Sequence, residues 1–218
     1  MNCQLQSKKM REYLFEGSDY PFKGDNYRFL LINFDDSEYV DTVFDFLKDL
    51  FPDAFSMKEG DDYFLFYFHE PEISLKDLFA SIGDDFSVSL KVYVSGRINT
   101  KHPEHFRILY QAYKEFLESA PYQYMTNAEL IIEIIKNDFK RLKNIKPAVL
   151  NRISEDTQME KLILSMFEND LNVKRTAESI FMHRNTVIYK LEYIKQETGL
   201  NLQKFTDAAC IYWLLKAK

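Results

Sequence analysis

Residues 172–195 read NVKRTAESIFMHRNTVIYKLEYIK, two short helical patterns joined by a tight turn. Asn172 is a suitable N-cap, and Val173, Ala177 and Ile180 recur at helical spacing, giving the first helix one narrow apolar face that ends near Phe181. Ala177 is small where two helices must cross closely. After a turn at Met182 and His183, the residues Val187, Leu191 and Ile194 predict a second helix that buries them and leaves Arg184, Asn185, Ile188, Tyr189 and Lys190 outside. That outer face suits the major groove of double-stranded DNA, where the second helix of such a pair sets its N-terminal residues at base edges and the first crosses the phosphate backbone. Arg184 and Asn185 are then the candidates for base edges, because Arg suits guanine and Asn suits adenine. Ile188 is placed to touch a thymine methyl, and Lys174, Arg175, Thr186, Tyr189 and Lys190 to meet phosphate.

The same residues carry a family resemblance. Asn172 with Ala177, the run Met182-His183-Arg184-Asn185-Thr186-Val187, the step Tyr189-Lys190-Leu191 and the end Thr198-Gly199-Leu200 resemble the C-terminal helix-turn-helix of PucR and CdaR-type regulators. The broader spacing is similar to that of Fis-like helix-turn-helix domains. The resemblance implies an all-α DNA-binding domain in a transcription regulator. It departs from the family pattern at Ile188, where Arg is usual, so the resemblance does not extend to base preference.

Working outward, 218 residues suit one large domain or two small ones, and hydrophobic residues at 46% with 19 Phe and 14 Tyr supply a real core. Gly and Pro at six each argue against disorder. The first twenty residues are mixed and charged, with no apolar run long enough for a signal peptide or a membrane span, which predicts a cytoplasmic protein with no membrane partner. Cys3 and Cys210 form no CxxC pair and are read as free thiols. The net charge of −6 is unevenly spread: residues 1–120 carry 13 basic against 22 acidic side chains, residues 121–170 carry 7 against 8, and residues 171–218 carry 8 against 4. Phosphate attracts basic surface and repels acidic surface, so contact with DNA is expected only at the C-terminal end.

In residues 1–26 a short helix is expected around Lys8 to Phe15, before a turn region from Gly17 to Gly24, with no functional assignment. Arg28 to Ile32 reads as a strand, and Val40, Val43, Phe44, Leu47 and Phe51 as a helix stopped by Pro52. Ala54 to Lys58 and Tyr63 to Phe68 flank Glu59-Gly60-Asp61-Asp62 as a hairpin. Leu78, Phe79 and Ile82 suggest a short helix, Phe86 to Val94 alternate as a half-buried strand, and Phe106 to Phe116 form a closing helix. The order β-α-β-β-α-β-α predicts an antiparallel-dominated sheet with helices on one face.

This half resembles the degenerate GGDEF-like domain of CdaR-type regulators. Glu59-Gly60-Asp61-Asp62-Tyr63 stands where cyclases have Gly-Gly-Asp-Glu-Phe, and Ser95-Gly96-Arg97 opens the last helix connection. A nucleotide cyclase needs carboxylates to hold magnesium against phosphates and a hairpin lean enough for close approach. Here Asn33 stands where an Asp is wanted, and Glu59 replaces the first Gly, so no catalysis and no cofactor are expected. His102 and His105 form an HxxH with Pro103 between them and are read as surface histidines at a helix start. The pairs Asp35-Asp36, Asp61-Asp62 and Asp84-Asp85 are read as turn or helix-start residues.

Beyond Pro121, Thr126-Asn-Ala-Glu129 opens a connector helix through Leu130, Ile131, Ile134, Ile135, Phe139 and Leu142. A second capping box, Thr157-Gln-Met-Glu160, starts a helix expected to pack behind the helix-turn-helix. Thr206 is the expected cap of a last helix whose residues Ala208 to Leu215 are apolar almost all round, and so are buried in their own domain or against a partner chain. The expectation is an α+β protein with a GGDEF-like, ferredoxin-like N-terminal domain followed by an all-α, Fis-like helix-turn-helix domain. Its divisions are an extension at 1–26, the α+β domain at 27–120, a helical connector at 121–156 and the DNA-binding domain at 157–218. The expected function is a non-enzymatic, sequence-specific transcription regulator. A homodimer and an unknown small-molecule effector are its expected partners besides DNA. The alternative is a nucleotide-responsive GGDEF-like signalling protein whose helical tail mediates protein contacts.

Overall fold

The computed structural model describes residues 3–35, 38–51, 53–119 and 121–217. Pro52, Asp36 and the side chain of Cys3, each given a reading above, lie outside the described parts. The chain divides into two compact units, Met1–Ser95 with Asn99–Thr126 and Gly96–Ile98 with Asn127–Lys218.

In the first unit, α1 (Cys3–Arg11) runs into a π-helical turn (Glu12–Glu16) that Gly17 ends at φ 80°. There follow β1 (Asn26–Phe34), α2 (Val40–Leu50), β2 (Phe55–Glu59), β3 (Asp62–Tyr67), α3 (Leu75–Asp85) and β4 (Leu90–Val94). A two-residue β5 (Ile98–Asn99) precedes α4 (Pro103–Phe116), and β6 (Tyr124–Thr126) closes the run. The sheet has the order β2-β3-β1-β4-β6, antiparallel except where β6 lies parallel to β4. Leu30 stands opposite Leu65 on one side and Val94 on the other. β6 was not expected from sequence, because three residues are too few to show an alternation.

The central strand is buried at every position from Tyr27 to Ile32. Leu30, Ile32, Leu65, Tyr67 and Val92 form one face with Val43, Phe44 and Leu47 of α2 and Phe79 and Ile82 of α3. The opposite face carries Phe29, Phe64 and Phe66, whose rings lie 4.9, 5.4 and 6.0 Å from that of Phe106 on α4, and Tyr93, 5.3 Å from Tyr113. The helices therefore cover both faces, not one as the element order suggested. The physical reason was present in β1, since a strand with apolar side chains on both sides needs two covers. The strand expected from Phe86 starts only at Leu90, because Phe86 ends α3 and Ser87 turns the chain at φ 51°. Asp84-Asp85 falls in the last turn of α3, not at a helix start, and Ser74 supplies that helix's cap by accepting from the Asp77 N–H.

The second unit is helical: α5 (Asn127–Asp138), α6 (Leu142–Leu150), α7 (Thr157–Glu168), α8 (Val173–Ser179), α9 (Arg184–Thr198) and α10 (Phe205–Lys216). α9 packs on α6, α7 and α8, while α10 packs on α5 and α6. Two caps fall beside the residues expected. Asp156, one residue before Thr157, accepts from the N–H groups of Gln158 and Met159, since a carboxylate there reaches two free donors at once. α10 begins after Lys204, and Thr206 lies inside its first turn.

Ala208, Cys210, Ile211 and Leu214 of α10 are buried within the unit, while Tyr212 and Trp213 remain partly exposed. The Cys210 thiol donates to the Ala128 carbonyl at 3.6 Å, and burial, with Asp207 and Glu129 nearby, pushes its pKa up to about 12. Only the thiolate reacts, so in a Cys3→Ser variant Cys210 should modify about 1000-fold more slowly at pH 8 than after unfolding. The rate with a disulfide reagent, with and without denaturant, checks this. Equal rates would show that α10 is not packed as described.

Candidate nucleic-acid interface

The hairpin of α8 and α9 is held from below. Asn172 Oδ1 accepts from the N–H groups of Lys174 and Arg175 at 3.0 and 3.1 Å, capping α8 as its position suggested. Thr176 and Ala177 are the buried residues of α8, whereas Val173 and Ile180 are only half-buried. On α7, Ser165 Oγ lies 2.9 Å from Ser179 Oγ of α8, and Asn169 Nδ2 reaches the same hydroxyl at 3.1 Å. Polar side chains thus fix the angle between α7 and α8. Val187, Leu191 and Ile194 of α9 are buried, as their spacing predicted.

The turn departs from the reading at Phe181. The end of α8 is Ser179, and Phe181 stands in the turn at φ 53° with its side chain 99% exposed. His183 closes the turn as the N-cap of α9, its Nδ1 accepting from the Asn185 N–H at 3.2 Å. A ring nitrogen as the cap and a left-handed Phe left no signal in the sequence pattern. Both depend on the path between two helices whose angle is set elsewhere.

Opposite the buried stripe, Arg184, Asn185, Thr186, Ile188 and Tyr189 are exposed, with Tyr189 at 75%. Lys190 is half-buried. Lys174 and Arg175 are exposed on the first turn of α8, and Arg175 lies 3.5 Å from the exposed Asp170, a pairing that water screens heavily. The arrangement offers polar and cationic groups on one side of a helix whose other side is fixed in a core. Base edges and phosphates are what such groups recognise.

Two carboxylates of the β2–β3 hairpin, Asp62 and Glu59, are occupied. Gly60 takes φ 61° in a two-residue turn, and Glu59 stands opposite Asp62. Asp62 is buried and accepts from Asn33 Nδ2 at 2.6 Å, Tyr110 Oη at 2.5 Å and Lys114 Nζ at 2.8 Å. Burial, and then the hydrogen bond to Asp62, push the Tyr110 phenol well above its ordinary pKa. Glu59 accepts from Arg11 Nε at 2.8 Å and Nη2 at 3.3 Å. A magnesium–phosphate group would have to displace these cations.

Of the two histidines expected at the surface, His102 is partly exposed but His105 is buried at the start of α4. The two rings stack at 4.9 Å, and His102 Nδ1 lies 2.9 Å from Glu104 Oε1. With Glu104 they bring three ligand atoms within 4.8 Å of one another. Desolvation raises the Glu104 pKa, but backbone hydrogen bonding and His102 outweigh it and hold the carboxyl below its usual range. The group sits at a helix N-terminus, whose positive end disfavours a cation. No helix among the described residues is long and apolar enough to cross a membrane.

Several known proteins are similar to parts of this chain. A carbohydrate diacid regulator of Escherichia coli is 25% identical over 88 residues, covering 40% of this chain and 23% of that protein. A proline-responsive transcriptional activator, PutR, of Bacillus subtilis is 27% identical over 100 residues, 45% of this chain and 23% of its own length. A leucine-rich protein of Streptococcus dysgalactiae is 25% identical over 152 residues, 65% of this chain and 52% of the other. The chain thus spans about a quarter to about a half of the length of these curated relatives. The profile of the PucR C-terminal helix-turn-helix domain matches residues 161–217, the span that contains α8, α9 and α10. These residues are a helix-turn-helix domain of the PucR C-terminal type.

Proposed function

We propose that this chain is a sequence-specific DNA-binding transcription regulator that acts without catalysis, in the cytoplasm. The observation that carries the reading is α9 itself: a helix of a PucR-type domain with Val187, Leu191 and Ile194 in the core and Arg184, Asn185 and Ile188 on the opposite, exposed face. In the major groove, Arg184 and Asn185 meet base edges and Ile188 a thymine methyl, while Lys174, Arg175, Thr186, Tyr189 and Lys190 hold phosphates. Residues 27–120 act as a GGDEF-like, ferredoxin-like domain, with 1–26 as its extension, 121–156 as a helical connector and 157–218 as the DNA-binding domain.

One relative is named a proline-responsive activator and another a carbohydrate diacid regulator, which supports a small-molecule effector here as well. A homodimer is the working form, because one recognition helix covers few base pairs and two half-sites about 34 Å apart give useful specificity. Phe205, Tyr212 and Trp213 on the exposed side of α10 supply apolar surface for a partner copy. The nucleotide-responsive alternative has less support, since Asp62 and Glu59 already bind Lys114 and Arg11. Selection of genomic DNA fragments by the whole chain, followed by band shifts at two salt concentrations, tests the reading. Recovery of one sequence class, with affinity falling steeply with salt, is the expected result. Retention of no fragment, or of all alike, would overturn it.

A further inference from the structure

We propose that Arg97 is a positioning residue for DNA recognition: with Gly96 and Ile98 it forms a strap that fixes the C-terminal end of α9. The inference rests on the DNA-binding reading of that helix. Gly96–Ile98 belongs to the compact unit of Asn127–Lys218, although Ser95 before it and Asn99 after it belong to the other unit. The last four carbonyls of a helix have no partner within it. At the end of α9, two of them are taken by residues far away in sequence. The Arg97 N–H donates to the Glu197 carbonyl at 3.1 Å, and Asn127 Nδ2 donates to the Thr198 carbonyl at 2.8 Å.

The side chains repeat the connection. Arg97 Nη1 lies 3.1 Å from Glu197 Oε1, and Asn151 Nδ2 bridges Glu197 Oε2 at 2.8 Å and the Arg97 carbonyl at 3.2 Å. Glu197 is 1% exposed, so its carboxylate depends on these donors. Asn151 holds φ 49°, a conformation that persists in a non-glycine residue only where its surroundings dictate it. At Gly96 a Cβ would stand 2.7 Å from the Glu197 carbonyl oxygen, 2.8 Å from the Thr198 carbonyl carbon and 3.0 Å from the Gly199 nitrogen. Only glycine lets the strap lie this close.

The effect on the far end of α9 follows from length. α9 has 15 residues, so Arg184 lies about 20 Å along the axis from the strap, and a swing of about 10° there moves it by about 3.5 Å. Base-edge hydrogen bonds tolerate far less, so a loosened strap blurs base reading before it weakens phosphate contact.

The test uses the full chain, its selected DNA fragment and a panel of single-base variants, with Arg97→Ala, Arg97→Lys and Gly96→Ala as the protein variants. The fluorescence of Trp213, the single tryptophan, and the thermal midpoint report whether the helical unit is folded. In folded Arg97→Ala, discrimination across the panel should fall about tenfold with the salt slope unchanged, and Arg97→Lys should recover part of it. A purely structural role would instead lower every affinity by one factor and leave the ratios intact. Wild-type ratios in folded Arg97→Ala overturn the inference. If that variant does not fold, wild-type ratios in both Arg97→Lys and Gly96→Ala overturn it. Failure of the wild-type chain to bind any fragment removes the DNA-binding reading first, and this inference with it.

Discussion

Replacing Asp62 with Ala should destabilise the first unit by about 3 kcal/mol, because the substitution strands three donors that converge on one buried carboxylate. Asn33 Nδ2, Tyr110 Oη and Lys114 Nζ all donate to it, and Asp62 itself is 3% exposed. Lys114 is 40% exposed along its side chain and regains water when the pair is broken, which keeps the loss at the low end of the range for buried ion pairs. Asp62→Asn keeps an acceptor and should lose less. Urea unfolding followed by circular dichroism measures both midpoints. The same residue separates the two functional readings. If Asp62 is an anchor, millimolar magnesium with a nucleoside triphosphate should leave the wild-type midpoint unchanged, whereas a rise that Asp62→Ala abolishes would return the nucleotide reading to favour.

Arg184→Ala should cost about 1 to 3 kcal/mol of binding and relax preference at one base pair, the loss expected of a side chain at a base edge. Arg184 stands in the first turn of α9 and is exposed there. Lys190 lies a turn and a half further along and is half-buried, so Lys190→Ala should weaken all sequences alike and lower the salt slope by about one unit. Ile188→Arg should shift preference toward guanine. Binding of each variant to single-base changes of the selected fragment, at two salt concentrations, distinguishes these outcomes. Should Arg184→Ala lower affinity evenly across the panel, α9 does not dock by its N-terminal turn.

Much of the architecture was legible where a short periodic pattern met a strong local signal. The stripe of Val187, Leu191 and Ile194 identified α9, Asn172 marked the start of α8, and Gly60-Asp61 marked the hairpin. Errors gathered where neighbouring elements compete for the same residues. Phe86 looked like the first residue of an alternating strand but ends α3, and Phe181 looked like the end of an apolar helix face but is exposed in a turn. Thr157 and Thr206 were plausible caps, yet Asp156 took the first place and α10 starts before the second. In each case the local chemistry allowed two answers one to four residues apart, and packing chose between them.

By itself the sequence determined the helix-turn-helix, because its signals lie within one or two helical turns of each other: a cap, a small residue at a crossing, and an apolar stripe with basic and polar types opposite. It also determined the order of strands and helices from β1 to α4, apart from the two-residue β5. Tertiary structure alone decided that helices cover both faces of the sheet, that Asp62 is neutralised by Lys114, and that Glu197 meets Arg97, 100 residues away in sequence. Periodicity shows which side of an element is buried but carries no term for what buries it. Pairings across such separations form only after the chain has paid the entropy of closing long loops, and nothing local in the residues records them.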